Sequence, residues 1–187
     1  MSSYFLRGTG HDEYAKYSEE APMWYRNMER LKKKYETAKK YVPAPITHKV
    51  KGATVGIIGF GSSEAAILEA QHQLNTQHGI QADFMRVRAL PFTDEATSFI
   101  KKYDQIFVVE LNRDGQMDQL LKIEYPEFSM RFKSVAFGDG LPASAKWVRE
   151  GILAKYESAK KPQKAKAQVV KSKTTKTLKK KTSAKRR

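Results

Sequence analysis

The chain reads as an α/β protein with a mostly parallel sheet and helices on both faces, and three observations predict it. Apolar runs of strand length recur through residues 54–137, a stretch with apolar residues at helical spacing follows each of them, and the joins carry glycine, proline, serine or aspartate. Strands that alternate with helices are linked by right-handed crossovers, which makes neighbouring strands parallel.

Taken in order, Thr54-Val55-Gly56-Ile57-Ile58 is apolar throughout, as befits a strand buried on both faces. Gly59-Phe60-Gly61-Ser62-Ser63 follows. Glycine lets the chain turn without a Cβ clash, and Ser62 or Ser63 stands where it can cap the next helix. That helix carries Ala66, Ile67, Ala70 and Leu74 at helical spacing and stops at Gly79. Phe84, Met85 and Val87 belong to a second strand ending near Arg88, with a loop through Leu90 and Pro91. Thr93-Asp94-Glu95 opens a helix whose apolar face is Phe99, Ile100 and Tyr103. Gln105-Ile106-Phe107-Val108-Val109 is a third strand, rich in β-branched and aromatic residues. After Glu110-Leu111-Asn112-Arg113-Asp114-Gly115-Gln116 a helix is expected from near Asp114, because Met117, Leu120 and Leu121 lie at i, i+3 and i+4. Phe132–Phe137 makes the fourth strand, and Gly138-Asp139-Gly140 a loop. Pro142 suits a first helical position, and Val148, Ile152 and Tyr156 share one side of the final helix.

A chain of 187 residues with this pattern has room for one sizeable core. The expected organisation is a linker arm with an amphipathic helix over 1–45, an α/β domain over 46–159 and a disordered lysine-rich tail over 160–187. The formal charge of +15 is not spread over the chain. Of 35 Lys and Arg, 13 fall in residues 160–187 with no Asp or Glu, which leaves 22 basic against 20 acidic residues before them. Such a tail attracts nucleic acid nonspecifically by counterion release, but it has no aromatic residue to stack bases and reads first as a solvated appendage. The absence of cysteine excludes disulfides, thiolate zinc sites and thiolate-ligated clusters within the chain. No run approaches the roughly 18 apolar residues needed to cross a bilayer, and the N-terminus lacks a signal-peptide core, so a cytoplasmic protein with no membrane partner is expected.

In the arm, Pro22 starts a helix on which Trp24, Met28, Leu31, Tyr35 and Ala38 recur at steps of four, three, four and three. Arg26, Arg30, Lys33 and Lys34 occupy its other side. Trp24, Met28, Leu31 and Tyr35 therefore form an interface stripe, packed on the chain's own domain or on a neighbouring subunit rather than on a membrane surface. Pro43-Ala44-Pro45 ends this helix. His11, Asp12 and Glu13 are potential metal ligands, but consecutive residues rarely converge on one ion, and a turn whose side chains bond backbone is the better reading. His11, His48, His72 and His78 are scattered, and no metal site or catalytic constellation is expected.

Gly59 begins Gly-x-Gly-x-x-Glu rather than the dinucleotide fingerprint, because Glu64 stands where helix–strand packing wants Gly or Ala and would face a pyrophosphate. Asp83 lies at about the spacing of a ribose-binding acid, yet inside the second strand. The turn is left as an anion site formed by helix amides or as a meeting surface for another domain.

Gly59-Phe60-Gly61-Ser62, Arg86-Val87-Arg88-Ala89-Leu90-Pro91-Phe92 and Val109-Glu110-Leu111-Asn112-Arg113-Asp114-Gly115-Gln116, in that order, resemble the C-terminal part of the α subunit of 2-oxoacid:ferredoxin oxidoreductases, most of all the 2-oxoglutarate enzyme. Arg7-Gly8-Thr9-Gly10-His11-Asp12-Glu13-Tyr14 and Asn27-Met28-Glu29-Arg30 through Pro43 are similar to the segment that precedes this domain in the family. The resemblance covers roughly residues 5 to 153 and leaves out the tail. It implies a fold like the C-terminal domain of transketolase and a share in oxidative decarboxylation of a 2-oxoacid to its acyl-coenzyme A. In the complete enzyme thiamine diphosphate with Mg, iron–sulfur clusters and coenzyme A carry the chemistry and ferredoxin takes the electrons. The catalytic parts lie in the pyrimidine-binding domain of the α subunit and in the β subunit. The chain thus looks like an incomplete α subunit, either partnering separately encoded pieces or a truncated frame, with no cofactor bound by it alone and no catalytic residue to carry over.

Its expected role is assembly. Gly59, Gly61 and Ser62, with Glu110, Asn112, Gly115 and Gln116, would form turns at the carboxyl edge of the sheet, where open α/β sheets meet ligands or partners. Glu110 and Asn112 either fix loops by bonding backbone amides or touch a partner directly. Arg86 and Arg88, at i and i+2 of a strand, would point the same way and grip a carboxylate or phosphate, or else make ordinary interdomain ion pairs.

Overall fold

A computed structural model describes residues 10–156. The expected tail, 160–187, and the first nine residues of the arm lie outside the described residues.

Five strands form one sheet in the order β1-β3-β2-β4-β5. β2 (Val55–Phe60), β3 (Ala82–Val87), β4 (Ile106–Glu110) and β5 (Phe132–Ala136) are parallel, as the strand–helix alternation demands. β1 (Ile46–His48) joins the outer side of β3 in antiparallel register, Ile46 opposite Arg86. The sequence did not announce this edge strand, since three residues after Pro45 carry too little apolar pattern to be read as one. It is held by Gln71 instead, whose buried amide donates to the carbonyls of His48 at 3.1 Å and Ala82 at 2.8 Å.

Two cores lie on opposite faces of the sheet. On one, α2 (Glu64–His78) and a helix over 145–156, here α5, bring Ile67, Ala70, Leu74, Val148 and Ile152 against Ile57, Phe84, Phe107 and Val109. On the other, α3 (Asp94–Lys102) and α4 (Gln116–Glu124) bring Phe99, Ile100 and Leu121 against Ile58, Met85, Ile106 and Val108. Adjacent residues of one strand serve opposite cores, which is why β2 and β4 read as continuous apolar runs.

Several boundaries differ from the sequence expectation for local reasons. α2 is entered through a 3-10 turn, Gly61–Ser63, and neither serine caps it; Ser63 Oγ donates back to the Phe60 carbonyl at 2.7 Å. α4 begins at Gln116, because Gly115 is left-handed (φ 65°) and closes the preceding loop. Pro142 precedes α5 rather than opening it. Ser144 is the capping residue, its Oγ accepting the Trp147 amide at 3.2 Å. Gly79 ends α2 in the left-handed conformation as expected, its amide bonding the Leu74 carbonyl.

α1 (Ala21–Ala38) starts with Pro22 in its first turn and stops before Pro43. Met23 is its buried residue, and the 10–18 segment folds back on α1 through an Asn27 Nδ2 bond to the His11 carbonyl. Within that segment Asp12 Oδ1 accepts the amides of Tyr14 and Lys16, each at 2.9 Å, as a backbone-bonding turn would. Trp24, Met28, Leu31 and Tyr35 are all exposed. The alternative in which this stripe packs on the chain's own domain is not realised.

Candidate functional site

In an open parallel sheet the order of strands decides where a crevice forms. The chain passes from β2 to β3 on one side, then returns past β2 to β4 on the other, so the turns after β2 and β4 diverge and leave a gap between them. Gly59, Gly61 and Ser62 lie at the end of β2, and Glu110, Asn112, Gly115 and Gln116 at and after the end of β4. Two of the three motifs singled out in the sequence therefore flank the switch point of the sheet.

The expected turn starts later than Gly59, which lies inside β2 opposite Arg86; the chain turns at Gly61, and the two glycines are needed for different reasons. Gly59 has no room for a side chain, since a Cβ there would stand 2.3 Å from Ile67 Cδ1, whereas Gly61 meets nothing but holds φ at 59°. Ser62 is exposed. Glu64, in the first turn of α2, binds Arg86 Nη1 through Oε2 at 2.8 Å and stands 3.8 Å from His48 Nε2. A carboxylate at the helix start repels the phosphate that a dinucleotide would place there.

Arg86 and Arg88 do not act as a pair. β3 ends at Val87, opposite Phe60, the last residue of β2, and Arg88 beyond it donates to the Ala44 carbonyl at 3.4 Å. Arg86 makes its ion pair within the domain rather than across an interdomain boundary.

Glu110, the last residue of β4, is 1% exposed and is committed to the start of the helix that follows. Oε2 accepts the Met117 amide at 3.0 Å and Oε1 the Asp118 amide at 3.1 Å, so the carboxylate neutralises the first turn of α4. Asn112 Oδ1 accepts the Asp114 amide at 3.1 Å, and the Asn112 carbonyl accepts that of Gly115 at 3.2 Å. Gly115 lies against β5, where a Cβ would come 3.0 Å from Ser134 Oγ. Gln116 is exposed. Loop-fixing thus describes what Glu110 and Asn112 do, and it leaves Ser62 and Gln116 as outward-facing polar groups on the two banks of the gap.

One polar cluster escaped the sequence reading. Asp83, 2% exposed within β3, accepts the Val50 amide at 2.8 Å, Lys102 Nζ at 2.9 Å and the Tyr103 hydroxyl. Burial pushes its carboxyl up, but the bonds from Tyr103, Val50 and Lys102 outweigh this and hold it below the ordinary carboxylate value. Burial, then the bond to Asp83, pushes the Tyr103 phenol up to about 12. The aspartate at dinucleotide spacing is a fastener between β3, α3 and the segment after β1. Its partners are 19 to 33 residues away in sequence, and no local signal marks them.

No family model matches the sequence. The α subunit of 2-oxoacid:ferredoxin oxidoreductase 2 from Aeropyrum pernix is 30% identical over 122 residues, 63% of this chain and 19% of that protein. The corresponding subunit from Saccharolobus solfataricus is 31% identical over 156 residues, 79% of this chain and 24% of the other. The chain therefore spans about a quarter or less of the length of the curated relatives it matches. Among solved structures, the 2-oxoglutarate:ferredoxin oxidoreductase from Magnetococcus marinus, which holds 2-oxoglutarate, coenzyme A and succinyl-CoA, shares the fold with a TM-score of 0.66 at 20% identity, over 82% of this chain and 27% of that one. From the ordered motifs, the partial sequence identity and the common α/β fold, the chain is a relative of part of the α subunit of the 2-oxoacid:ferredoxin oxidoreductases.

Proposed function

We propose that the chain is the C-terminal portion of a 2-oxoacid:ferredoxin oxidoreductase α subunit, with 2-oxoglutarate the preferred 2-oxoacid, and that it contributes domain and subunit assembly to oxidative decarboxylation. The observation that carries this reading is the state of its carboxylates. Glu64 and Glu110 at the carboxyl edge of the sheet, and Asp83 near the amino end of β3, are each engaged by groups of the same fold and hold it in shape.

Neither Mg nor an iron–sulfur cluster fits the described residues. Among the described residues no three His, Asp or Glu converge to hold a metal ion, so the Mg that accompanies thiamine diphosphate has no donor set here. The sequence has no cysteine for an iron–sulfur cluster. Thiamine diphosphate, Mg, the clusters and coenzyme A would be held by domains outside these 187 residues, whether on the same polypeptide or on others. The partners are accordingly the β subunit and the remaining α-subunit domains, with ferredoxin as the acceptor of the whole complex. A cytoplasmic location belongs to the same proposal; among the described residues no helix is long and apolar enough to cross a membrane. The rival reading, a non-enzymatic module with a nucleic-acid-binding tail, rests on residues outside the described part, and the relatives favour the subunit.

The test is 2-oxoglutarate- and coenzyme A-dependent reduction of a viologen dye. The purified chain alone should show none, and activity should appear when the other domains and the β subunit are added. Turnover by the chain alone, or an active complex reconstituted without it, would refute the proposal.

A further inference from the structure

α1 presents a seam with no cover in this structure. Trp24, Met28, Leu31 and Tyr35 are 57%, 37%, 45% and 46% exposed, and with Ala38 they recur at a mean step of 3.5 residues. That spacing places them on one face of a helix about 27 Å long, eighteen residues at 1.5 Å each. The positions that flank such a seam hold Lys32, Lys34 and Lys39, and no acidic residue. Lys39 already draws carboxylates of its own chain, Glu36 at 3.1 Å and Glu124 at 3.9 Å, whereas Lys32 and Lys34 are exposed. At the N-terminal end the seam runs into a cavity of about 420 Å³ between Tyr17, Ala21 and Trp24, large enough for an apolar side chain from another molecule.

We propose that α1 docks lengthwise on a helix of a partner protein whose own seam is flanked by aspartate or glutamate. This rests on the assembly reading above and narrows it to one surface and one partner chemistry. Charge decides among the occupants. A second copy of α1 would bring lysines against lysines. The chain's own residues 160–187 offer 13 basic groups and no acidic one. A lipid surface calls for a broad apolar face, whereas polar or charged residues fill most positions between the seam residues here.

The full chain is titrated with two synthetic helical peptides that share Leu and Ile at their seam positions, one bearing Glu and the other Lys at the flanks. Trp24 fluorescence is the readout, and a Trp24→Phe chain supplies the Trp147 background. The Glu peptide should bind about tenfold or more tightly than the Lys peptide, because the exposed Lys32 and Lys34 attract the one and repel the other. Lys32→Glu with Lys34→Glu should reverse that preference, and Leu31→Asp should abolish binding without shifting the unfolding midpoint, because Leu31 is exposed. Equal affinity for the two peptides, no response to charge reversal, binding only to phosphatidylglycerol vesicles, or self-association of the unmodified chain would each overturn the proposal. Peptide binding that follows the charges while the β subunit fails to co-purify supports this surface and counts against the oxidoreductase reading alone.

Discussion

Replacing Glu110 separates a structural carboxylate from a functional one. Its side chain is 1% exposed and accepts the Met117 and Asp118 amides at 3.0 and 3.1 Å. Glu110→Ala leaves the buried Asp118 amide and the part-buried Met117 amide without their acceptor. Each bond to a charged acceptor contributes about 1.5–3 kcal/mol, and the loss of negative charge at a helix start adds about 0.3–1 kcal/mol. Removing the carboxylate also removes the cost of burying it, so the net destabilisation should be about 2–4 kcal/mol. Glu110→Gln preserves the volume but turns an NH2 group towards one of the amides, and should cost roughly half as much. Equilibrium urea unfolding followed by circular dichroism measures both. The slope against denaturant should stay constant while the midpoint falls in the order wild type, Gln, Ala. A change under about 0.5 kcal/mol for the alanine variant would show that Glu110 does not hold the α4 start, and the partner-contact alternative would then stand.

Three further outcomes are expected. The Asp83–Tyr103 pair makes stability depend on pH at both ends. Asp83 is held below its ordinary value, so its contribution is present above about pH 4 and lost as pH falls through the lowered folded value; Tyr103 is raised to about 12, so its contribution is present below pH 10 and lost as pH rises through 12. Asp83→Asn should flatten the acid limb of the stability curve and lower the Tyr103 titration seen by ultraviolet absorbance, though not to 10, because burial is the larger cause of its shift. Gly59→Ala should destabilise by about 1–3 kcal/mol in thermal or urea unfolding, because its Cβ would overlap Ile67 Cδ1, whereas Gly61→Ala should cost about 1 kcal/mol through its positive φ alone. Deleting residues 160–187 removes 13 of the 35 basic groups and no acidic one, and should abolish most retention on a cation exchanger; unchanged retention would place the binding charge elsewhere.

The sequence by itself determined the alternation of strands and helices and the face that each helix of the α/β domain buries against the sheet, because these follow from the backbone's own periods of 2.0 and 3.6 residues. Ile57, Phe107, Leu74 and Ile152 were legible as core for that reason. The candidate site was legible as residue types at a sheet edge, Gly59 to Ser62 and Glu110 to Gln116, but not as an arrangement. Strand order placed those two turns on either side of one gap, and no local pattern encodes strand order. Tertiary contact likewise spent Glu110 on α4, tied Arg86 to Glu64 and drew Arg88 to Ala44, dissolving the pair that spacing suggested. β1 and the Asp83 cluster stayed hidden because their partners lie far away in sequence: β3 and Gln71 for β1, and Val50, Lys102 and Tyr103 for Asp83. The seam on α1 shows the division most plainly: its spacing was written in the sequence, and only the fold decided that the chain's own domain would leave it uncovered.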